Sequence, residues 1–291
     1  MIAVAVGLAV LVGVALGLLG GGGSILTVPL LVYVAGVEPK SAIAMSLLVV
    51  GVTSAIAAIA HARSGRVRWP IAVLFGLTAM GGAYAGGLLA QFVPGTVLLV
   101  TFAVVMIAAG VAMLRGRKDS IAADGARSVP AIRIAMLGMA IGVLSGLVGA
   151  GGGFLLVPAL ALLAGLPMPI AIGTSLVVIS MQSFAGLAGH LASEQIDWRL
   201  AAFITIAAVV GALVGGRLVS LVNPAALRRT FGWFVLLMAS VILTREVDPA
   251  VGAAVGVLTL LAAAMSLACT RYAHCPLRRI LALRAAGTTT T

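Results

Sequence analysis

Charged and aromatic residues are scarce in this chain. Of its 291 residues, 9% are charged and 5% are aromatic, and only two are cysteines. In soluble domains about a quarter of the residues are charged, so this composition excludes an ordinary soluble fold. The chain is instead 62% hydrophobic, has a mean hydropathy of +1.25, and contains apolar runs long enough for a bilayer core. The sequence therefore predicts an integral membrane protein.

The sparse charges and cysteines exclude several other classes. The net charge of +11 comes from Lys and Arg in short loops and in the C-terminal tail, which is typical of cytoplasmic anchors and not of a nucleic-acid interface. Cys269 and Cys275 do not have the spacing of a zinc site. The sequence contains no nucleotide-binding P-loop motif, and no basic n-region precedes its first apolar stretch. We expect no cleaved signal peptide, no cofactor, no metal and no nucleic-acid partner.

Two glycine-rich breaks interrupt apolar segments, one in each half of the chain. They are GGGGS at 20–24 and GAGGG at 149–153. Free backbone N–H and C=O groups are not tolerated in lipid, so such breaks persist only where they line a cavity or bind a ligand. Breaks at matching places in two halves are typical of the midplane binding site of a transporter.

The two halves are copies of one sequence. A shift that places Gly17 on Gly146 aligns them without a gap. Glycines four residues apart recur in both copies, and such pairs allow helix backbones to approach closely in lipid. We therefore predict an internal duplication with helices packed at these glycines. Equivalent positions include Ser46 and Ser175, Ser54 and Ser183, His61 and His190, Trp69 and Trp198, Gly13/Gly17 and Gly142/Gly146, and Gly82/Gly86 and Gly211/Gly215.

The apolar pattern predicts an all-α, polytopic membrane protein. Each half is expected to form a helical hairpin, broken at its glycines, and three transmembrane helices. We place the first repeat at 1–114, a cytoplasmic linker at 115–130, the second repeat at 131–244, and an additional helix with a basic cytoplasmic tail at 245–291. The predicted helices cover about 2–19, 24–36, 41–60, 70–91, 95–114, 133–148, 154–165, 170–190, 198–219, 224–243 and 249–269.

Loop charges predict that the two repeats have inverted topology. The loop after His61 carries three arginines and no acid, whereas the equivalent loop after His190 carries Glu194 and Asp197 and no Lys or Arg. Positively charged loops stay in the cytoplasm, so equivalent loops are expected on opposite sides of the membrane. Each broken segment must then enter and return on the same side, and the C-terminus is predicted to be cytoplasmic.

The breaks also predict an anion site. A helix that starts at a break presents unpaired N–H groups and the positive end of its dipole, and buried hydroxyls or amides can complete the shell of an anion. All seven acidic residues fall in predicted loops, which argues against a buried proton or sodium relay and against an enzyme active site. A helix serine often bonds its own backbone instead. The predicted substrate contacts are Gly22, Gly23, Ser24, Ser46, Gly151, Gly152, Gly153, Thr174, Ser175 and Gln182, with Thr53, Ser54 and Ser183 as weaker candidates and His61 and His190 in gating or proton sensing.

The broken segments carry a family resemblance. GLLGGGGSILTVPLL at 17–31 and GLVGAGGGFLLVPAL at 146–160 resemble the TauE/SafE family of sulfite and organosulfonate exporters. The resemblance covers essentially the whole chain, including S-L-x-V at 46–49 and 175–178. It implies export of small sulfur oxyanions such as sulfite, or of sulfonates such as sulfoacetate. Ala150 and Gly153 depart from the first copy, so the two half-sites are chemically unequal.

The leading hypothesis is a secondary carrier that exports such an anion through the cytoplasmic membrane by alternating access. With the cell interior negative, expelling one negative charge is favoured by about 2.3 kcal/mol per 100 mV, so neither ATP nor a coupling ion is required. The expected partners are the lipid bilayer and the small anion, and a homodimer is compatible with the sequence. An anion channel, an uptake permease for another small anion, and a non-transporting helper subunit remain open.

Overall fold

The structure is a computed structural model and is helical in every regular element that it describes. The described residues are 2–19, 25–115, 131–149, 153, 156–157, 160, 166, 168–218, 224–248, 250 and 252–260. The helices are α1 (Ile2–Leu19), α2 (Thr27–Pro29, continued by a π-helical turn Leu30–Val34), α3 (Pro39–Arg63), α4 (Trp69–Ala90), α5 (Gly95–Arg115), α6 (Ala131–Val148), α7 (Met168–His190), α8 (Trp198–Leu218) and α9 (Pro224–Glu246). Residues 252–260 are also helical.

The predicted helices are confirmed wherever the structure describes them. Their observed ends differ from the predicted ends by three residues or fewer across α3 to α9. Proline within the first turn fixes the starts of α3 and α4, because a residue there has no intrahelical partner for its N–H. The side chain of Asp197 caps α8 by accepting the backbone N–H groups of Arg199 and Leu200. Most of the predicted linker and of the final helix lies outside the described residues.

Helix length and hydropathy support a multi-pass membrane protein. Among the described residues, five helices are long and apolar enough to cross a bilayer: α3, α4, α6, α7 from Ile170, and α8. The predicted spans α5 and α9 have comparable lengths of 21 and 23 residues. They pack on each other through a cluster of fully buried side chains that includes Phe102, Met106, Val235 and Ile242.

Contacts between helix ends divide the described chain into two faces. On one face, hydrogen bonds join the first turn of α3 to the loops that follow α4 and α7, and the π-helical turn after α2 to the end of α9. We call it the acidic face, because every described acidic residue lies there, together with Lys40, Arg199 and Arg245. Its hydrogen bonds are Lys40 Nζ to Gln91 O at 3.0 Å, Ser41 Oγ to Gln195 O at 3.1 Å, and Tyr33 OH to Glu246 Oε1 at 3.3 Å. Its acids are Glu38, Glu194, Asp197, Glu246 and Asp248.

The opposite face carries arginines and, among the described residues, no acid. Here the loop between α3 and α4 packs on the first turns of α7. The backbone N–H of Arg68 donates to Thr174 Oγ1 at 3.0 Å, and a Cβ on Gly173 would collide with the carbonyl of Arg66. We call this the basic face. Its described arginines are Arg63, Arg66, Arg68, Arg133, Arg217 and Arg229.

Each glycine-broken segment starts on the face where the following helix also starts. Helices α1 and α8 run parallel, because Gly13 and Gly17 meet Ala208 and Ala212 in the same order. Because α8 begins on the acidic face, α1 begins there too, as does α3. The equivalent parallel pairing of α6 with α4 places the start of α6 on the basic face, where α7 also begins. The described part of the segment after the second break packs back on α6, since Leu156 and Leu160 cluster with Ile134, Leu137 and Ile141.

The predicted packing role of the glycine pairs is confirmed. A Cβ on Gly13 would collide with the carbonyl of Ala208, and a Cβ on Gly142 with the carbonyl of Ala79. These two contacts are equivalent, because the alignment of the repeats places Gly13 on Gly142 and Ala79 on Ala208. The same alignment relates Gly17–Ala212 to Gly146–Ala83, Gly211–Val10 to Gly82–Met139, and Gly215–Val14 to Gly86–Val143. Close backbone approach of this kind is how helices associate in lipid, where no hydrophobic force drives them together.

Substituting Gly13 tests this packing. Gly13→Ala places a methyl group against the carbonyl of Ala208, so α1 and α8 must separate, at a cost of about 1–3 kcal/mol. Gly7→Ala, on the same helix, meets nothing within 4 Å and is the matched control. Alanine also favours the helix by about 1 kcal/mol over glycine. Thermal unfolding in detergent should show a lower Tm for the first variant only, and an equal loss in both would contradict the packing account.

Candidate functional site

The second glycine break begins at a position that only glycine fits. Gly149 has φ of +72°, and a Cβ on it would lie 2.6 Å from Cγ2 of Ile43. Its N–H still donates to Ser145 O at 2.9 Å and so ends α6. Gly153 is helical and buried. The other predicted glycine contacts, Gly22, Gly23, Ser24, Gly151 and Gly152, lie outside the described residues.

The structure brings Ser46 to the second break. Ser46 Oγ lies 2.5 Å from the carbonyl oxygen of Gly149 and 2.9 Å from that of Ile43. The equivalent Ser175 donates to Ile172 O at 2.8 Å. A hydroxyl has one proton, and in both serines it is directed at a backbone carbonyl. In this conformation neither serine has a proton to donate to an anion.

Thr174 and His61 lie at the basic face. Thr174 is fully buried, and its hydroxyl oxygen accepts the backbone N–H of Arg68. It therefore positions the arginine-bearing loop between α3 and α4. His61 is half-buried beside Gly173, and its Nδ1 has no hydrogen-bond partner among the described residues. A buried nitrogen in that state is available to a ligand or a water molecule.

Gln182 and His190 join α7 to α6. Gln182 Nε2 donates to Ser145 Oγ at 3.3 Å, and His190 Nε2 lies 2.7 Å from the carbonyl oxygen of Gly146. A carbonyl only accepts, so Nε2 of His190 carries the proton. Both side chains are almost fully buried. These bonds satisfy polar groups of α6 in its last turns before the break, which lipid could not do.

A small pocket lies between α1, α3, α7 and α8, with room for roughly one water molecule. Ser54 lines it, is 1% exposed, and its Oγ has no hydrogen-bond partner among the described residues. Thr53 beside it donates to Val49 O at 2.7 Å. From the sequence, Ser54 is a weaker candidate for a substrate contact than Ser46. The signal that could have pointed to Ser54 is its alignment with a second serine, Ser183. The lining residues are Leu16, Gly17, Thr53, Ser54, Ala57, Leu176 and Ala212.

The pocket has hydroxyl groups but no carboxylate in its lining. All described acids lie at the acidic face, at helix ends or in loops. No three His, Cys, Asp or Glu residues in the described part of the chain lie close enough together to hold a metal ion. A buried hydroxyl without a fixed charge can bind and release an anion, whereas a carboxylate would repel it.

The sequence matches the family described as "Sulfite exporter TauE/SafE" over residues 5–242. The chain belongs to the TauE/SafE family. It is therefore a multi-pass membrane transporter, and transporters of this kind are not enzymes.

Several relatives of this TauE/SafE protein carry the name "Probable membrane transporter protein". One from Xylella fastidiosa (strain 9a5c) is 37% identical over 254 residues, which cover 84% of this chain and 95% of that protein. YdhB of Bacillus subtilis (strain 168) is 26% identical over 221 residues, covering 75% of this chain and 90% of YdhB. YunE of the same organism is 28% identical over 229 residues, covering 71% and 82% respectively. No solved structure matches the chain significantly.

The contacts of Ser46 and Ser175 predict unequal effects of removing each hydroxyl. Ser46→Ala removes a bond to the carbonyl of Gly149, which lies in a different helix hairpin. Such interhelical bonds are worth about 0.6–1.7 kcal/mol in membranes. Ser175→Ala removes only a bond within its own helix. Thermal unfolding in detergent should show the larger loss of stability for Ser46→Ala, and equal Tm values for the two variants would refute a structural role for this bond.

Proposed function

We propose that this TauE/SafE protein is a secondary carrier that exports a small sulfur-containing anion, such as sulfite or an organosulfonate, across the cytoplasmic membrane. The observation that carries the proposal is the buried Ser54 hydroxyl, which has no partner among the described residues and lines a small pocket without a carboxylate, in a chain of this transporter family. The description of the family as sulfite exporters supports the substrate class. The predicted N–H groups of the glycine breaks would supply further donors to the same anion.

The proposed architecture is a pair of repeats, 1–114 and 131–244, with inverted topology. The helix contacts support it, because α1 and α3 start on the acidic face whereas the equivalent α6 and α7 start on the basic face. By the positive-inside rule, the arginines support a cytoplasmic location of the basic face. The linker 115–130 and the basic tail after the additional C-terminal helix then also lie in the cytoplasm.

The charge arrangement suits export. Arginines on the cytoplasmic face attract anions and raise their concentration at the mouth of the carrier. A negative membrane potential then favours outward movement of each negative charge by about 2.3 kcal/mol per 100 mV. Because no described carboxylate lies within the helix bundle, the described part of the chain offers no acidic site for proton or sodium coupling.

Anion efflux from liposomes that contain only the purified protein tests this function. Sulfite or sulfoacetate loaded inside should leave faster when an imposed potential makes the interior negative, and the rate should saturate with concentration. Liposomes without protein are the control. No efflux from the purified protein would contradict the carrier and support a helper subunit. Efflux that does not saturate would support a channel instead.

Cysteine labelling tests the proposed orientation. In a background with Cys269→Ser and Cys275→Ser, Ser64→Cys lies in the exposed loop at the basic face and Ser193→Cys in the exposed loop at the acidic face. A membrane-impermeant thiol reagent added to intact cells should label Ser193→Cys only. Ser64→Cys should become reactive when the cells are opened. The reverse pattern would place the basic face outside and would overturn the proposed direction.

A further inference from the structure

The pocket beside Ser54 has an equivalent position in the second half of the chain, and the two positions differ. In the alignment of the two repeats, the pocket between α1, α3, α7 and α8 corresponds to a position between α6, α7, α3 and α4. Each lining residue then has a defined counterpart. Leu16, Gly17, Thr53, Ser54 and Ala57 correspond to Ser145, Gly146, Gln182, Ser183 and Gly186, and Leu176 and Ala212 correspond to Leu47 and Ala83.

The second position is closed by direct contacts. Gln182 Nε2 donates to Ser145 Oγ at 3.3 Å, and the His190 ring, near the end of α7, bonds the carbonyl of Gly146. A Cβ on Gly186 would lie only 3.3 Å from Leu47 Cδ1. The other residues that would line a pocket here therefore pack against each other, while the buried Ser183 Oγ, like Ser54 Oγ, has no hydrogen-bond partner among the described residues.

Crossings of α4 with α7 and of α8 with α3 differ in the same way. A Cβ on Gly87 of α4 would lie 2.7 Å from the carbonyl oxygen of Gly186 and 3.0 Å from Cα of Gly189, both in α7. Gly216 of α8 is the counterpart of Gly87, and a Cβ on it would meet nothing within 4 Å. At these equivalent positions α4 therefore packs tightly on α7, whereas Gly216 of α8 is exposed and has free space around it.

The open and closed positions lie toward opposite faces. Ser54 and Ala57 fall in the half of α3 that ends at the basic face, and Ala212 falls in the corresponding half of α8. Gln182 falls in the half of α7 that ends at the acidic face, as Gly87 does in α4. The structure therefore has its pocket toward the basic face and its tight contact toward the acidic face.

We propose that the small oxyanion enters from the basic face at the pocket beside Ser54, which has room for about one water molecule here and widens as the anion enters, and that the contact of Gln182 and His190 with α6 is the closed gate toward the acidic face. This rests on the proposed carrier function. The Ser54 hydroxyl donates a hydrogen bond to the oxyanion once the pocket has widened. In the opposite state α8 closes on α3 near Gly216, while α7 releases Ser145 and Gly146 of α6.

Thiol labelling compares the two positions without measuring transport. In the background that lacks Cys269 and Cys275, Ser54→Cys should react with a small charged methanethiosulfonate in protein-containing liposomes. Ser183→Cys should react at least about tenfold more slowly, because a minor conformation is populated at about 10% or less. Ala57→Cys replaces Ser54→Cys if that variant does not fold. Equal rates, or faster reaction at position 183, would overturn the assignment of open and closed positions.

Blocking closure near Gly216 tests the exchange between states. Gly216→Leu should leave folding intact, because the added side chain starts in open space. It should abolish efflux of sulfite or sulfoacetate, since α8 can no longer approach α3, and Ser54→Cys should stay reactive. Gly7→Leu is the matched control, because Gly7 also has nothing within 4 Å, and it should keep full efflux.

The outcomes separate this inference from the function on which it rests. Normal efflux in Gly216→Leu would overturn the gate while leaving the carrier function intact. No efflux from the unmodified protein, together with faster labelling at position 54 than at 183, would refute the proposed function and keep the asymmetry of the two positions.

Discussion

Unpaired backbone groups are too costly in lipid, and the rest of this structure depends on that constraint. A helix that stops inside the membrane leaves carbonyls that some neighbour must satisfy. At the end of α6, Ser46 from the other half bonds the carbonyl of Gly149, and His190 bonds that of Gly146. The break therefore requires the surrounding helices in fixed positions. A glycine-rich interruption in one segment thus determines contacts with two distant parts of the chain.

Close approach of helix backbones at glycines is the second feature that holds the helices together. Gly13 and Gly17 join α1 to α8, and Gly142 and Gly146 join α6 to α4. Each of these pairs combines a broken segment from one half with a full-length helix from the other. The glycine contacts are equivalent in both pairs, so the two pairs pack in the same way. Differences between the halves arise instead where α3 meets α8 and where α4 meets α7.

The parts of this architecture that could be predicted from the sequence are those that follow from the length of apolar runs and from the spacing of glycines. Hydrophobic length located the helices, and glycines four residues apart located their crossings, because both features act locally along the chain. The sequence did not predict which hydroxyls are free. Ser46, Ser54 and Ser175 look alike in sequence, yet the first and third donate to carbonyls, whereas Ser54 Oγ has no partner among the described residues. The equivalent Ser183 Oγ shares that state with Ser54. That distinction depends on how close each serine comes to a neighbouring carbonyl, which sequence spacing does not encode.

The chemical differences between the two halves affect the relative energies of the two states of the proposed carrier. Identical halves would make the inward-open and outward-open states equal in energy, whereas this chain places Gln182 opposite Thr53 and Gly186 opposite Ala57. Toward the acidic face, the amide of Gln182 donates to the hydroxyl of Ser145. Toward the basic face the equivalent residues are Thr53 and Leu16, and Leu16 has no group that could accept such a bond. In the proposed mechanism, the state open to the basic face therefore has a bond that the opposite state would lack. In the proposed export mechanism, a carrier that rests in this state would face the compartment from which it collects its anion, and the membrane potential would supply the free energy for the outward step.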